Sequence, residues 1–193
     1  MTSITSDQVS GNVFVTGFGD GAVRVYDRRQ PPHQALTMVW KKHKSWIQNV
    51  RMQRGGFREL VSGSVDGIIK VWDVRQQESL RTIEVRDPIS ALDLHHHAPV
   101  IACASPSPQP IKVWNVNGDI LSTVRSYTGL FGQKQARVTS LGFHPHEYVF
   151  GVGGDDGWVS IQGWSGPNHG DSHGPAGTAP SPLAHGAGPY HQY

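Results

Sequence analysis

The side chains that could carry chemistry in this sequence include a histidine, a serine and an aspartate within one short stretch: His43, Ser62 and Asp66. These three types form the triad of serine hydrolases, in which a carboxylate orients an imidazole that takes a proton from the hydroxyl. Here they are followed by Trp72, in the sequence SGSVDGIIKVWD, and an indole has no part in that reaction. Whether these residues have a catalytic or a structural role therefore depends on the strands and turns that position them.

Histidines are a second candidate for chemistry, because imidazole is a common ligand of zinc. His95, His96 and His97 are consecutive, and His144 and His146 follow in FHPH. Consecutive residues near the end of a strand point to opposite faces, and two of these positions match an ordinary turn between strands. We therefore predict no metal site. P-loop and spaced-cysteine motifs are absent as well, and we predict no catalytic residue and no cofactor.

Composition limits the class of partner. Of 193 residues, 17 are Lys or Arg and 15 are Asp or Glu, a formal net charge of +2 that predicts no binding to nucleic acid. No window approaches the ~18 uninterrupted apolar residues of a membrane span, so no membrane insertion is expected. The start lacks the apolar stretch of a secretory signal, and Cys103 has no second cysteine to pair with. These features predict a cytosolic or nuclear protein, with the cytoplasm as our expectation.

Four copies of one pattern organise the chain. They read GDGAVRVYD, VDGIIKVWD, PQPIKVWN and DDGWVSIQG, and their anchor residues lie 46, 42 and 48 residues apart: Tyr26, Trp72, Trp114 and Gln162. Strand-like stretches flank each copy, and Asp-Gly is a strong signal for a hairpin turn. Each unit is therefore a predicted four-stranded meander, and such units at intervals of about 40 to 45 residues are typical of a β-propeller.

The predicted architecture is an all-β propeller segment over residues 1–163, followed by a tail. Its four blades cover residues 2–40, 46–85, 89–127 and 138–163, and the fourth lacks an outer strand. We expect an incomplete ring, and therefore a fragment of a larger propeller that self-associates or is marginally stable, because repeat arrays need covered ends. Residues 164–193 contain 6 Gly, 5 Pro and 4 His, which predicts a disordered tail rather than a metal site.

The chain resembles WD-repeat proteins in SGSVDGIIKVWD, in HKSWIQNV from His43 and in FHPH from Phe143. In blades of that family a His, a Ser or Thr, an Asp and a Trp form a hydrogen-bonded tetrad. Four residues match these positions: His43, Ser62, Asp66 and Trp72. The resemblance implies a structural role, in which the aspartate accepts from the imidazole, the hydroxyl bridges, and the indole N–H gains a partner.

The other units match the tetrad in part. The first unit supplies three members: Thr16, Asp20 and Tyr26. The third unit has Pro108 to Pro110 in place of the Asp turn, and the fourth has Val152 and Gln162 at the Ser and Trp positions. We expect these units to depend more on apolar stacking.

Three longer stretches resemble the Raptor family, the regulatory-associated proteins of the TOR kinase. They are GFGDGAVRVYDRR at 17–29, ISALDLHHHAPVIACAS at 89–105 and YTGLFGQKQARVTSLGFHPH at 127–146. The similarity is to the carboxy-terminal WD-repeat domain of that family. It implies a non-catalytic scaffold of TOR complex 1 in nutrient and growth signalling, with TOR complex subunits as partners. The alternatives are a generic WD-repeat adaptor, such as a substrate receptor of a ubiquitin ligase, and a hydrolase that uses the His and Asp side chains.

The loop TGLFGQKQAR, from Thr128 to Arg137, is the strongest candidate for a partner contact. Leu130 and Phe131 lie between glycines, with Gln133 beside them, and apolar groups on such a loop suit a binding hot spot. An equally favoured interpretation is that Phe131 fills a gap between blades.

Overall fold

The computed structural model describes residues 1–53, 59–106, 110–124 and 137–163. These ranges contain 15 β-strands in four antiparallel sheets. Within each sheet the strands pair in chain order, so each sheet is one meander, which we call units 1 to 4. The prediction of an all-β chain with three four-stranded units and a fourth of three strands is confirmed for this part of the molecule.

The strands of the four units have the following bounds. Unit 1 contains β1 (Ser3–Ser6), β2 (Val13–Gly17), β3 (Ala22–Asp27) and β4 (Leu36–Lys41). Unit 2 contains β5 (Ile47–Met52), β6 (Glu59–Ser64), β7 (Ile68–Asp73) and β8 (Arg81–Glu84). Unit 3 contains β9 (Ala91–Leu94), β10 (Val100–Ala104), β11 (Ile111–Asn115) and β12 (Ile120–Val124). Unit 4 contains β13 (Val138–Phe143), β14 (Val149–Gly154) and β15 (Val159–Gly163).

The Asp-Gly turns between the second and third strands form as the sequence predicts. Gly21 and Gly67 both have φ of +77°, a left-handed conformation that glycine adopts without a steric penalty. A Cβ at Gly21 would also collide with the backbone carbonyl oxygen of His43. The turn therefore needs glycine both for its φ and for the close approach of the next unit's entry loop.

The units pack side by side through apolar faces. The first strands of successive units are neighbours, β1 with β5, β5 with β9 and β9 with β13. Between units 1 and 2 lies a buried cluster: Val15, Val23, Val25, Trp40, Ile47, Val50, Leu60 and Trp72. The rings of Trp40 and Trp72 stack within it, with centroids 4.7 Å apart. In units 2 and 3 a neighbouring unit covers each face of the middle strands, which accounts for the apolar side chains on both faces.

Side chains on the first strands also link each unit to the next. Each accepts a backbone N–H of the following unit: Ser3 from Val50 at 3.1 Å, Asn49 from Leu92 at 3.2 Å and Asp93 from Phe143 at 2.7 Å. Arg51 of unit 2 donates to the other carboxylate oxygen of Asp93 at 2.7 Å. In each of the backbone N–H bonds a side chain of one unit accepts an N–H of the next unit along the chain, so the bonds hold successive units side by side. Within the described ranges, no helix is long and apolar enough to cross a membrane.

Candidate functional site

The structure brings together the four residues of the matched tetrad. His43 lies in the segment that enters unit 2, Ser62 is on β6, Asp66 is in the β6–β7 turn and Trp72 is on β7. The Ser62 hydroxyl lies 2.8 Å from His43 Nε2 and 2.8 Å from Trp72 Nε1. Asp66 Oδ2 lies 3.3 Å from His43 Nδ1. The four side chains thus form one continuous chain of hydrogen bonds across the sheet.

The donors in this network assign the proton positions. The indole N–H of Trp72 donates to Ser62, and Asp66 accepts from the backbone N–H of Lys44 at 2.8 Å as well as from His43 Nδ1. His43 Nε2 is left to accept the Ser62 hydroxyl proton, which makes the imidazole neutral. Burial lowers the pKa of His43, and the nearby Asp66 carboxylate opposes that shift.

Asp66 also holds the turn that carries it. Its Oδ1 accepts the N–H of Ile68 at 3.1 Å, and its own N–H donates to Ser64 Oγ at 3.2 Å. The Ser64 hydroxyl donates in turn to the carbonyl oxygen of Ser45 at 3.2 Å. The sequence Ser-Val-Asp-Gly is therefore a turn whose side chains bind the backbone, and that turn places Asp66 against His43.

Asp66, His43 and Ser62 are connected in the order found in a hydrolase triad. Whether they could act as one depends on the exposure of the Ser62 hydroxyl to solvent. Ser62 is 0% exposed, and its oxygen already bonds both His43 and Trp72. A nucleophile must reach a substrate carbon, whereas this hydroxyl is fully buried between its two partners. The arrangement can hold strands and a loop together, and it does not expose the Ser62 oxygen to a substrate.

Unit 1 does not assemble its three matching residues into a network. Thr16 donates to the carbonyl oxygen of Arg24 at 3.4 Å, and Asp20 accepts the N–H of Ala22 at 3.1 Å. The ring of Tyr26 stacks on Phe14, with centroids 5.0 Å apart. A phenol carries its hydroxyl at the tip of the ring rather than at the edge, where an indole carries its N–H. Tyr26 therefore contributes apolar stacking.

Unit 3 places a cysteine at the serine position. Cys103 on β10 corresponds to Ser62, and Trp114 on β11 corresponds to Trp72. The indole N–H of Trp114 is buried without a hydrogen bond of ordinary geometry, since a thiol is a weak acceptor. Burial raises the pKa of Cys103 to about 11, while Trp114 and Lys112 oppose that shift. The thiol is therefore uncharged at neutral pH and unreactive.

We expect Cys103→Ser to be more stable than Cys103→Ala by about 1 kcal/mol in free energy of unfolding. A serine hydroxyl would give the Trp114 N–H the acceptor that Ser62 gives Trp72, whereas alanine gives none. Urea denaturation of the two variants measures this difference, and equal midpoints would contradict it.

Unit 4 uses apolar packing at these positions. Val152 is buried in the cluster that joins units 3 and 4, and Gln162 donates to Ser160 at 3.0 Å instead of joining a network. Pro108 and the candidate contact residues Leu130, Phe131 and Gln133 lie outside the described residues.

Sequence reasoning missed a repeated ion pair after the third strand. Asp27 pairs with Arg29 at 2.6 Å, and Asp73 pairs with Arg75 at 2.5 Å. Hydrogen bonds from Arg29 lower the pKa of Asp27 to about 2. The sequence contains a signal for these ion pairs, because Tyr-Asp-Arg-Arg and Trp-Asp-Val-Arg both have an Arg two residues after the Asp. In the described part of the chain, no group of three or more His, Cys, Asp or Glu side chains could hold a metal ion.

Comparisons with known proteins agree with this geometry. The family model "WD domain, G-beta repeat" matches residues 34–73, which include the whole tetrad. The target of rapamycin complex 1 subunit mip1 of Schizosaccharomyces pombe is 44% identical over 155 residues, 79% of this chain and 12% of that protein. The protein raptor homolog of Dictyostelium discoideum is 37% identical over 157 residues, 81% of this chain and 10% of that protein.

Solved structures give the same result. The crystal structure of Chaetomium thermophilum Raptor superposes with a TM-score of 0.78 at 38% identity, over 86% of this chain and 16% of that chain. The β-propeller domain of Myceliophteria thermophila Cps50 (Swd1) superposes with a TM-score of 0.69 at 16% identity, over 85% of this chain and 54% of that chain, and supports the fold alone. The chain belongs to the Raptor family, in which it is a WD-repeat β-propeller segment that spans about a tenth of its relatives' length.

Proposed function

We propose that this chain is part of a non-catalytic protein-interaction scaffold, a Raptor-like subunit of TOR complex 1 that acts in nutrient and growth signalling. The observation that carries the proposal is the 44% identity, over 79% of the chain, to a protein named as a subunit of that complex. The cytoplasmic location expected from the sequence stays a prediction.

The tetrad supports the non-catalytic part of this proposal. Its one hydroxyl that could act as a nucleophile, Ser62, is fully buried and bonded to Trp72, and His43 is 6% exposed. Both residues tie the entry loop to the second and third strands of unit 2. We propose that the tetrad is a structural latch and that no cofactor is required.

The proposed partners are proteins of the TOR kinase complex. We also propose, from the sequence, that Leu130, Phe131 and Gln133 contact a partner. Self-association of the chain is also proposed, because strands in units 1 and 4 present exposed apolar side chains. These residues are Ile4 at 54% exposed, Val39 at 45%, Val159 at 74% and Ile161 at 76%.

A pulldown tests the proposal. The tagged protein is expected to enrich TOR kinase from lysate, compared with an unrelated WD-repeat propeller carrying the same tag. Replacing both Leu130 and Phe131 by serine is expected to reduce that enrichment at least about tenfold, as for loss of a binding hot spot. Val9→Ser, which changes an exposed apolar residue in another loop, is the matched control and should leave enrichment unchanged.

The outcomes separate the alternatives. Recovery of ubiquitin-ligase subunits without TOR kinase would favour the adaptor function and contradict the scaffold proposal. Unchanged TOR kinase enrichment with a lowered melting temperature in the Leu130 and Phe131 variant would show that Phe131 fills a gap between blades.

A further inference from the structure

Two histidines cap the turns that follow the first strands of units 3 and 4. His95 Nδ1 accepts the backbone N–H groups of His97 and Ala98, both at 3.1 Å. His144 Nδ1 accepts those of His146 at 3.3 Å and Glu147 at 3.1 Å. A ring nitrogen that accepts two N–H groups cannot carry a proton, so the backbone assigns the hydrogen of each neutral ring to Nε2.

His95 also bonds across the interface between units 3 and 4; we call each such interface between neighbouring units a seam. Its Nε2 lies 3.3 Å from the carbonyl oxygen of Glu147, in the turn that His144 caps. Phe143 and Tyr148 pack against the ring, and His95 is 2% exposed. The neutral imidazole thus holds its own turn through Nδ1 and the neighbouring unit's turn through Nε2.

The seam between units 2 and 3 has the same kind of link without a titratable group. Gln53, which directly follows β5 as His95 follows β9, donates to the carbonyl oxygens of Ala98 at 2.8 Å and His95 at 3.4 Å. In unit 1, Asp7 caps the equivalent turn by accepting the N–H of Val9 at 2.9 Å. The residue after the first strand thus caps its own turn in units 1, 3 and 4, and in unit 2 it bonds to the next unit. Of the side chains that occur at this position, imidazole is the one that ordinarily changes its charge near neutral pH.

We propose that the seam between units 3 and 4 is a proton-sensitive latch, in which protonation of the His95 imidazole frees the turn at residues 95–99 and loosens its link to the turn at residues 144–148. Protonated Nδ1 becomes a donor facing two N–H donors, so the cap is lost. The link to Glu147 weakens with it, because the ring is no longer held in position.

Other polar side chains surround His95. The rings of His97 and His146 stack across the seam with centroids 5.2 Å apart and planes at 12°. The titratable and charged groups around the latch are, from unit 2, Arg51; from unit 3, Asp93, His96 and His97; and from unit 4, His144, His146, Glu147 and Tyr148. The Asp93 carboxylate is already bonded to Arg51 and to the N–H of Phe143.

The sign of the effect follows from burial. Burial lowers the pKa of His95 in the folded chain, and the Glu147 carbonyl opposes that shift. A histidine whose pKa is lowered by folding contributes stability that is complete above its unfolded pKa of about 6.5. That stability is lost as the pH falls from there through the folded pKa.

The test compares melting temperatures of the full chain at about pH 7.5 and about pH 5.5, on either side of the ordinary histidine range. His95→Gln introduces the side chain that Gln53 uses to donate to the neighbouring unit. An amide can accept the turn N–H groups through its oxygen and donate to Glu147 through its nitrogen without titrating. On acidification we expect the melting temperature of the unmodified chain to fall by about 4 °C more than that of His95→Gln. His33→Gln, at an exposed histidine, should behave as the unmodified chain does. An equal loss in His95→Gln and the unmodified chain would overturn the proposal.

A measurement on the unmodified chain keeps the proposal testable if His95→Gln does not fold. Nitrogen chemical shifts should show His95 Nδ1 unprotonated at about pH 7.5. After correction for intrinsic rates, hydrogen exchange should show the amides of His97 and Ala98 losing protection on acidification, while the amide of Val85, bonded to Gly67 within unit 2, keeps its protection. A protonated Nδ1 at the higher pH, or unchanged protection of His97 and Ala98, would contradict the latch.

Discussion

Replacing Ser62 by alanine is expected to lower the free energy of unfolding by about 3 kcal/mol. The hydroxyl bridges Trp72 Nε1 and His43 Nε2, each at 2.8 Å, in a part of the sheet that is closed to water. Alanine leaves both nitrogens buried without a partner, and each unpaired group adds its own desolvation cost. Urea denaturation monitored by circular dichroism measures the change.

Thr16→Ala is the matched control for this prediction. Thr16 occupies the same strand position in unit 1, but its hydroxyl makes one bond of 3.4 Å, to a backbone carbonyl. We expect Thr16→Ala to cost less than about 1 kcal/mol. If the two variants were destabilised equally, the hydroxyl of Ser62 would not be acting through the tetrad.

Truncating Trp40 to alanine is expected to cost about 4 kcal/mol, the range for removing a large aromatic side chain from a core. Trp40 is 1% exposed, stacks on Trp72 across the seam between units 1 and 2, and donates to the carbonyl oxygen of Gln76 at 2.9 Å. Its loss opens a cavity between two sheets and leaves Trp72 without a stacking partner. The midpoint of thermal or urea unfolding reports the effect.

Trp46→Ala separates this effect from the general consequence of removing a tryptophan. Trp46 lies in the loop entering unit 2 and is 62% exposed, so its truncation should change stability by less than about 0.5 kcal/mol. Comparable losses for Trp40→Ala and Trp46→Ala would contradict the packing of units 1 and 2 described above.

The fold was predictable because its signals are local. Each Asp-Gly turn indicates a hairpin, and the recurrence of the third-strand pattern, with its anchors at Tyr26, Trp72, Trp114 and Gln162, indicates four units. The tetrad was inferred from the resemblance to WD-repeat proteins. Ser62, Asp66 and Trp72 belong to one hairpin, whereas the placement of His43 against that hairpin rested on the resemblance.

The contacts between units could not be predicted in the same way. The bond from His95 to Glu147 joins residues 52 apart, and the bond from Gln53 to Ala98 joins residues 45 apart. Both depend on how one sheet stacks on the next, which the periodicity of a single unit does not encode. Unit 1 differs from this case, because Tyr26 stacks on Phe14 within its own unit. That contact is in line with the expectation that units with a partial tetrad depend more on apolar stacking.

A double-mutant cycle on Ser62→Ala and Trp72→Phe tests most directly whether the tetrad acts as a structural latch. Trp72→Phe removes the indole N–H but keeps most of the buried ring, so the cycle isolates the bond between Trp72 and Ser62. We predict that the double variant loses less stability than the sum of the two single variants, with a coupling of at least about 1 kcal/mol. Strictly additive losses, or a hydrolytic turnover that disappears in Ser62→Ala while stability is unchanged, would contradict the account.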